Sequence, residues 1–210
     1  EGLQIKMNGT GTWQACIYIL TGEDIRISHN ILVKGNDNAT GYNGGIIADK
    51  QWGYPTIQGV KVWNNIIYGF DETDDVGIAA ADYVVGPGSI EMYSYNNTIY
   101  DCDIGIVADG TVLYCYVKNN AVVACNDSFF GTFLPSSTNN AYSEGADPGV
   151  NGVALSSTNV TDYFFSAVDL HINRDANFAD ELTDSGADLS ADVTVSFTDD
   201  IDGETRPEGA

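Results

Sequence analysis

The chain has 210 residues, 43% hydrophobic and only 18% charged, enough apolar material to bury a core and too little charge for an acidic disordered segment. Eight Lys and Arg against 30 Asp and Glu leave a net charge of −22, which excludes a nucleic-acid binder working by phosphate neutralisation and a polybasic membrane docker. It also disfavours polyanionic substrates, unless a bound metal reverses the local field.

No apolar run approaches the roughly 20 residues of a transmembrane helix, so no membrane insertion is expected. No signal peptide is visible in a sequence that opens at Glu1, so a processed or excised piece is expected. Cys16, Cys102, Cys115 and Cys125 form no Cys-x-x-Cys pair, so zinc-ribbon and thioredoxin readings fail. The 23 glycines, many Asn and Thr, and the lack of long amphipathic stretches speak against helices. The fold class is all-β.

In chain order, residues 1–24 are expected to form a cap or incoming coil, and an Asn-anchored repeat follows over 25–146. Ile25 to Leu32 reads I-R-I-S-H-N-I-L, and Val60 to Tyr68 reads V-K-V-W-N-N-I-I-Y. Ile90 to Tyr100 reads I-E-M-Y-S-Y-N-N-T-I-Y, and Leu113 to Val123 reads L-Y-C-Y-V-K-N-N-A-V-V. A degenerate copy sits at Thr138 to Tyr142. The anchors Asn30, Asn65, Asn97, Asn120 and Asn140 are spaced by 35, 32, 23 and 20 residues. A second phrase recurs between them, at Gly45-Ile46-Ile47-Ala48, Gly77-Ile78-Ala79-Ala80 and Gly105-Ile106-Val107-Ala108.

A shrinking period of this size suits a right-handed parallel β-helix, a solenoid whose coils vary by loop insertion. The anchor Asn suits a bend because it tolerates the left-handed backbone and its amide can bond to the Asn one coil away. Alternation places Ile25, Val60, Met92 and Cys115 inward, with Ile27, Val62, Ser94 and Val117, and with Leu32, Ile67, Ile99 and Val122. Cys102 and Cys125 fall in register, about 4.8 Å apart by strand spacing, where a disulfide or two stacked thiols both fit.

The Asn-Asn-Thr-Ile-Tyr phrase at 96–100 and Gly-Ile-Val-Ala-Asp at 105–109 resemble coils of the pectate-lyase-like parallel β-helix proteins, of secreted bacterial or phage-encoded type. Residues 147–210 read as closing strands and loops. There Asp147-Pro148, Asp169-Leu170-His171-Ile172, Ser185 to Ser190 and Asp200 to Pro207 resemble that group's final segment. In the group this segment usually runs on into a short terminal strand that does not follow Ala210, so either a fragment or an incompletely read chain is expected. The resemblance implies a scaffold that hosts lyases, hydrolases, adhesins and virion parts alike.

Enzymes of that group imply clustered carboxylates, for lyases beside a Lys or Arg base. Asp49 and Asp109 share a column, with Asp82 one place off. Two rungs of about 4.8 Å approach the upper end of the roughly 6.5–9.5 Å of inverting glycosidases. Solvated turn carboxylates explain these acids equally, so no catalytic residue is assigned. His29 and His171 lack a nucleophile partner, and His29 stands in the column of Asn64, Asn96 and Asn119, as a hydrogen-bonding bend residue would.

Two acidic clusters, Asp71, Asp74 and Asp75, and Asp200, Asp202 and Glu204, offer the hard oxygens that suit calcium. Neither forms a complete calcium loop, and Arg206 competes for the second as a salt-bridge partner. No other cofactor is indicated.

The outward face of the first strand carries Arg26, Lys61, Tyr93 and Tyr116 in one column and Trp63, Tyr95 and Lys118 in the next, with Tyr114 alongside. Three of the eight basic residues thus share a surface with five rings. Such a stripe suits a covering segment, a second subunit or a glycan. Val33, Tyr68, Tyr100 and Val123 make a further apolar outer column that calls for a packing partner.

The function expected is a non-catalytic extracellular, cell-surface or virion-surface module, structural or adhesive. It would assemble with copies of itself or a larger surface and contact glycan. A polysaccharide lyase or glycoside hydrolase is the alternative.

Overall fold

A computed structural model describes residues 2–8, 13–35, 41–50, 56–82, 88–110, 113–183, 185–196 and 198–199. The strands are β1 (Gln4–Met7), β2 (Gln14–Ile19), β3 (Gly22–Glu23), β4 (Arg26–Ser28), β5 (Ile31–Lys34) and β6 (Asn43–Asp49). They continue as β7 (Ile57–Trp63), β8 (Ile66–Tyr68), β9 (Val76–Asp82), β10 (Ile90–Tyr95), β11 (Thr98–Tyr100) and β12 (Ile104–Gly110). The last are β13 (Leu113–Lys118), β14 (Ala121–Val123), β15 (Asp127–Gly131), β16 (Ala141–Tyr142) and β17 (Val153–Ala154).

These strands form three parallel sheets, which the chain visits in rotation. Sheet A runs β1-β5-β8-β11-β14-β16-β17, sheet B runs β15-β12-β9-β6-β2, and sheet C runs β13-β10-β7-β3 with β4 also on β7. Each circuit stacks on the previous one, a solenoid-like all-β arrangement. Residues 4–23 already contribute a strand to every sheet.

Registers follow the repeat. Ile99 pairs with Ile67 and Val122, Met92 with Val60 and Cys115, and Ile78 with Ile46 and Ile106. These columns point inward and join in one buried cluster. The second-phrase glycines are there for space. A Cβ on Gly77 would lie 2.6 Å from the Gly105 carbonyl oxygen and 2.7 Å from Ile99 Cγ2. Gly77→Ala should therefore overpack the corner between sheets A and B and cost about 1–3 kcal/mol, readable by chemical denaturation.

The anchor asparagines form a continuous ladder. Asn65 Oδ1 accepts from Asn30 N at 3.1 Å and Asn30 Nδ2 at 3.0 Å, and Asn97, Asn120 and Asn140 repeat the pattern toward the C-terminus. The left-handed bend lies elsewhere. His29, Asn64, Asn96, Asn119 and Asn139, the residues before each anchor, have φ of 58°, 51°, 52°, 55° and 55°. The two jobs expected of one Asn are therefore split between neighbours. The anchor side chain turns inward to bond along the stack, while its predecessor takes the strained backbone and points its side chain outward. Gly69, Asp101 and Ala124 make a second left-handed column after the sheet A strands.

Cys102 and Cys125 stack as free thiols. Burial, with Cys125 beside it, pushes the Cys102 thiol well above its ordinary value.

Candidate functional site

The outward face of sheet C places the expected residues in the expected columns. Arg26 lies beside Lys61, then Tyr93, then Tyr116, and Ser28 beside Trp63, Tyr95 and Lys118. Tyr93 and Tyr116 stack with centroids 4.7 Å apart, Tyr93 meets Tyr95 edge-on at 6.2 Å, and Lys118 Nζ sits 5.0 Å over the Tyr95 ring. Burial raises the Tyr93 and Tyr95 hydroxyls well above the ordinary phenol range. Tyr114 lies apart, 46% exposed.

The face is not bare. Residues 185–196 lie across it, burying Leu189 and Val195 against Tyr95, with Trp63, Tyr93, Tyr116 and Ala187 around them. Lys118 Nζ pairs with Asp192 Oδ2 at 2.7 Å. Burial works to raise the Asp192 carboxyl, but Lys118 and the backbone amides of Val195 and Thr194 outweigh it and hold the group low.

The bend column ties this strap down through its main chain. Asn119 Nδ2 donates to Ala187 O and Asn119 Oδ1 accepts from Ala187 N, both at 2.8 Å. Asn139 Nδ2 donates to Ser185 O at 2.8 Å, and Asn64 Nδ2 to Asp199 O at 3.0 Å. His29 Nε2 stands 3.6 Å from the Asp199 carboxylate. The Asn-Asn doublets were visible in the sequence as bends; their second use as pegs was not.

The cations of this face pair with carboxylates of the same chain. Lys61 Nζ lies 2.7 Å and Arg26 Nη2 3.1 Å from Asp24, which they hold below the usual carboxylate range. The second outer column has a cover too. Val123, Tyr68 and Tyr100 pack with Leu155, Tyr163, Phe164 and Leu170. Burial is the main reason that the Tyr163 hydroxyl is pushed up to about 12.

The weaker candidates divide. Asp49 and Asp109 both align with Ala81, two rungs apart, and Asp82 aligns with Gly110. Asp49 is buried and accepts from Tyr18 Oη, while Asp109 is half-buried. Lys50, next to Asp49, is only 2% exposed and reaches Gly88 O at 3.4 Å.

The calcium candidates Asp71, Asp74 and Asp75 are not gathered into one metal-binding group. Asp75 is fully buried, accepting from Lys34 Nζ at 2.7 Å and from Asn43 N and Nδ2 at 3.1 and 2.9 Å. Asp71 and Asp74 stay at the surface. Among the described residues no group of three or more His, Cys, Asp or Glu is placed to hold a metal. Asp200, Asp202 and Glu204 lie outside the described residues.

At the root of the strap a cleft of about 180 Å³ opens between the bend residues Asn96, Asn119 and Asn139 on one side and Glu181, Ser185 and Gly186 on the other. Comparison with protein-family models, curated proteins and solved structures finds no match for this chain.

Proposed function

We propose that the chain is a right-handed parallel β-helix of pectate-lyase-like type, serving as a non-catalytic structural or adhesive module at a cell or virion surface or outside the cell. The observation that carries this reading is where the polar chemistry goes. The ladder asparagines bond along the stack, the bend asparagines grip the chain's own strap, and Arg26, Lys34, Lys61 and Lys118 all pair with carboxylates of the same chain. Groups that an enzyme would aim at substrate serve cohesion here. The remaining surface is strongly acidic, as suits a protein that must stay soluble while displayed.

Buried Asp49 beside buried Lys50, with Asp109 in the same register column, favours a carbohydrate-active enzyme as the second reading. One experiment separates the two. Incubation with a panel of polysaccharides should release neither reducing ends nor unsaturated uronides, while sedimentation of the native chain should show self-association that grows with concentration. Sugar release that disappears in Asp49→Asn would overturn the structural reading in favour of the enzyme.

A further inference from the structure

We propose that Cys102 and Cys125, free thiols in this structure, close a disulfide in oxidising surroundings that locks one complete circuit of the solenoid into a covalent ring. The inference stands on the register of the circuits and not on the surface reading, so either can fail without the other.

The register holds on both sides of the pair. Tyr100 pairs with Val123 before it, and Ile104 pairs with Asp127 after it. Between them Asp101 N donates to Val123 O at 3.2 Å, Asn126 N to Cys102 O at 3.4 Å and Asp127 N to Asp103 O at 3.0 Å. No residue is gained or lost across this corner, so Cys125 lies directly opposite Cys102. Neighbouring parallel strands run about 4.8 Å apart, within the roughly 4.4–6.8 Å between Cα atoms that a disulfide spans. Both residues lie in the corner between strands, β11 to β12 in one circuit and β14 to β15 in the next, where a small backbone adjustment disturbs no strand pairing.

The side chains are set alike. Cys102 Sγ donates to Tyr100 O at 3.5 Å and Cys125 Sγ to Val123 O at 3.7 Å, each to the carbonyl two residues back in its own circuit. The two thiols therefore point the same way from adjacent rungs, and both are 2% exposed. Closing the bond gives up only these weak thiol hydrogen bonds. The other two cysteines face no second thiol. Cys115 pairs with Met92, and Cys16 falls opposite Gly45, between the pairs Ala15–Gly44 and Ile17–Ile46. From Cys102 the chain runs through β12, β13 and β14, one strand in each sheet, before it returns to Cys125. The bond thus joins the same corner of successive circuits and encloses a whole turn of 24 residues, which restricts the unfolded chain and so favours the folded one.

The oxidant is a small-molecule disulfide of the glutathione class. One cysteine thiolate attacks a sulfur of that disulfide and expels the first small thiol. The second cysteine then attacks the protein sulfur of the mixed disulfide and expels the other. The protein sulfurs lose two electrons to the small disulfide, and the two cysteine protons end on the released thiols. Burial keeps the oxidant from the folded pair, so the exchange belongs to folding, while the corner is open.

The test is refolding. The full chain, reduced and unfolded, is refolded in mixed reduced and oxidised glutathione, and its remaining thiols are alkylated under denaturing conditions. The expected product carries the alkyl group on Cys16 and Cys115 alone, with proteolytic fragments joined through Cys102 and Cys125. It should melt about 7–14 °C above the chain refolded with a reducing agent, and dithiothreitol should erase the difference. Cys125→Ala should show no oxidant-dependent shift. Should the unfolded chain not regain its strands by circular dichroism, the folded chain is held in the same glutathione mixture with sub-denaturing urea, and the same alkylation count decides. Four alkylated cysteines, or any other pairing, overturn the proposal. A bond between Cys102 and Cys125 that leaves the melting temperature unchanged overturns the lock.

Discussion

Asn97→Val is expected to lower the melting temperature by about 6–16 °C. The reason is the number of buried groups that one carboxamide serves. Asn97 Oδ1 accepts from Asn65 N at 3.1 Å and Asn65 Nδ2 at 3.0 Å. Its Nδ2 donates to Val62 O and Asn120 Oδ1, each at 3.0 Å, and to Ser94 Oγ at 3.1 Å. Valine nearly matches the shape and serves none of them. Each buried group left unpaired costs about 1–3 kcal/mol, and partial relaxation keeps the total near 3–4 kcal/mol. At this chain length each kcal/mol moves the midpoint by about 2–4 °C.

The neighbouring column supplies the contrast. Asn96→Ala leaves the ladder intact and removes the tolerance of a left-handed backbone, which costs about 1–2 kcal/mol. Equal losses at the two positions would show that the ladder bonds contribute nothing beyond the bend. Differential scanning calorimetry of both variants measures the difference directly.

The ladder and the inward columns were legible in the sequence because both recur with the circuit. Period-2 alternation fixes which side chains face in, and an Asn at each corner fixes the phase, so even the weak anchor Asn140 takes its place beneath Asn120. Which member of an Asn-Asn pair adopts the left-handed bend was not legible. Both residues tolerate it, and only the backbone path decides.

The strap was less legible still. Leu189 stands alone among Ala, Asp and Ser, and the alternation of Val193, Val195 and Phe197 marks a short strand without marking what it packs on. Only the uncovered columns, Trp63 and Tyr95 on one sheet and Tyr68 and Tyr100 on another, announced that something must lie over them. The sequence left open whether that cover was a segment, a subunit or a sugar, because an apolar stripe carries no record of its occupant.

The pair with no sequence signal at all carries the second large effect. Lys34 ends β5 and Asp75 precedes β9, 41 residues apart, and in the sequence Asp75 reads as one of the turn acids that suit calcium, with nothing to join it to Lys34. The fold instead buries it completely between Lys34 and Asn43, with Lys34 Nζ also 3.5 Å from Glu72. Lys34→Met should cost about 3–5 kcal/mol at neutral pH, because it leaves a buried carboxylate with the Asn43 amides but no cation.

The pH dependence gives the cause away. Burial already raises the Asp75 pKa above its ordinary value, against the pull of Lys34 and Asn43, and removing Lys34 raises it further. An acid whose folded pKa exceeds its unfolded one is destabilising while ionised, and that penalty fades as pH falls through the folded pKa toward the unfolded value. The gap between wild type and Lys34→Met should therefore be widest at neutral pH and close steadily toward the ordinary carboxylate range. Lys34→Met with Asp75→Asn should recover most of the loss at neutral pH, since a neutral carboxamide can still accept from Asn43. A gap that stays constant with pH, or persists in the double variant, would mean that Lys34 acts through its packed methylenes and not through its charge.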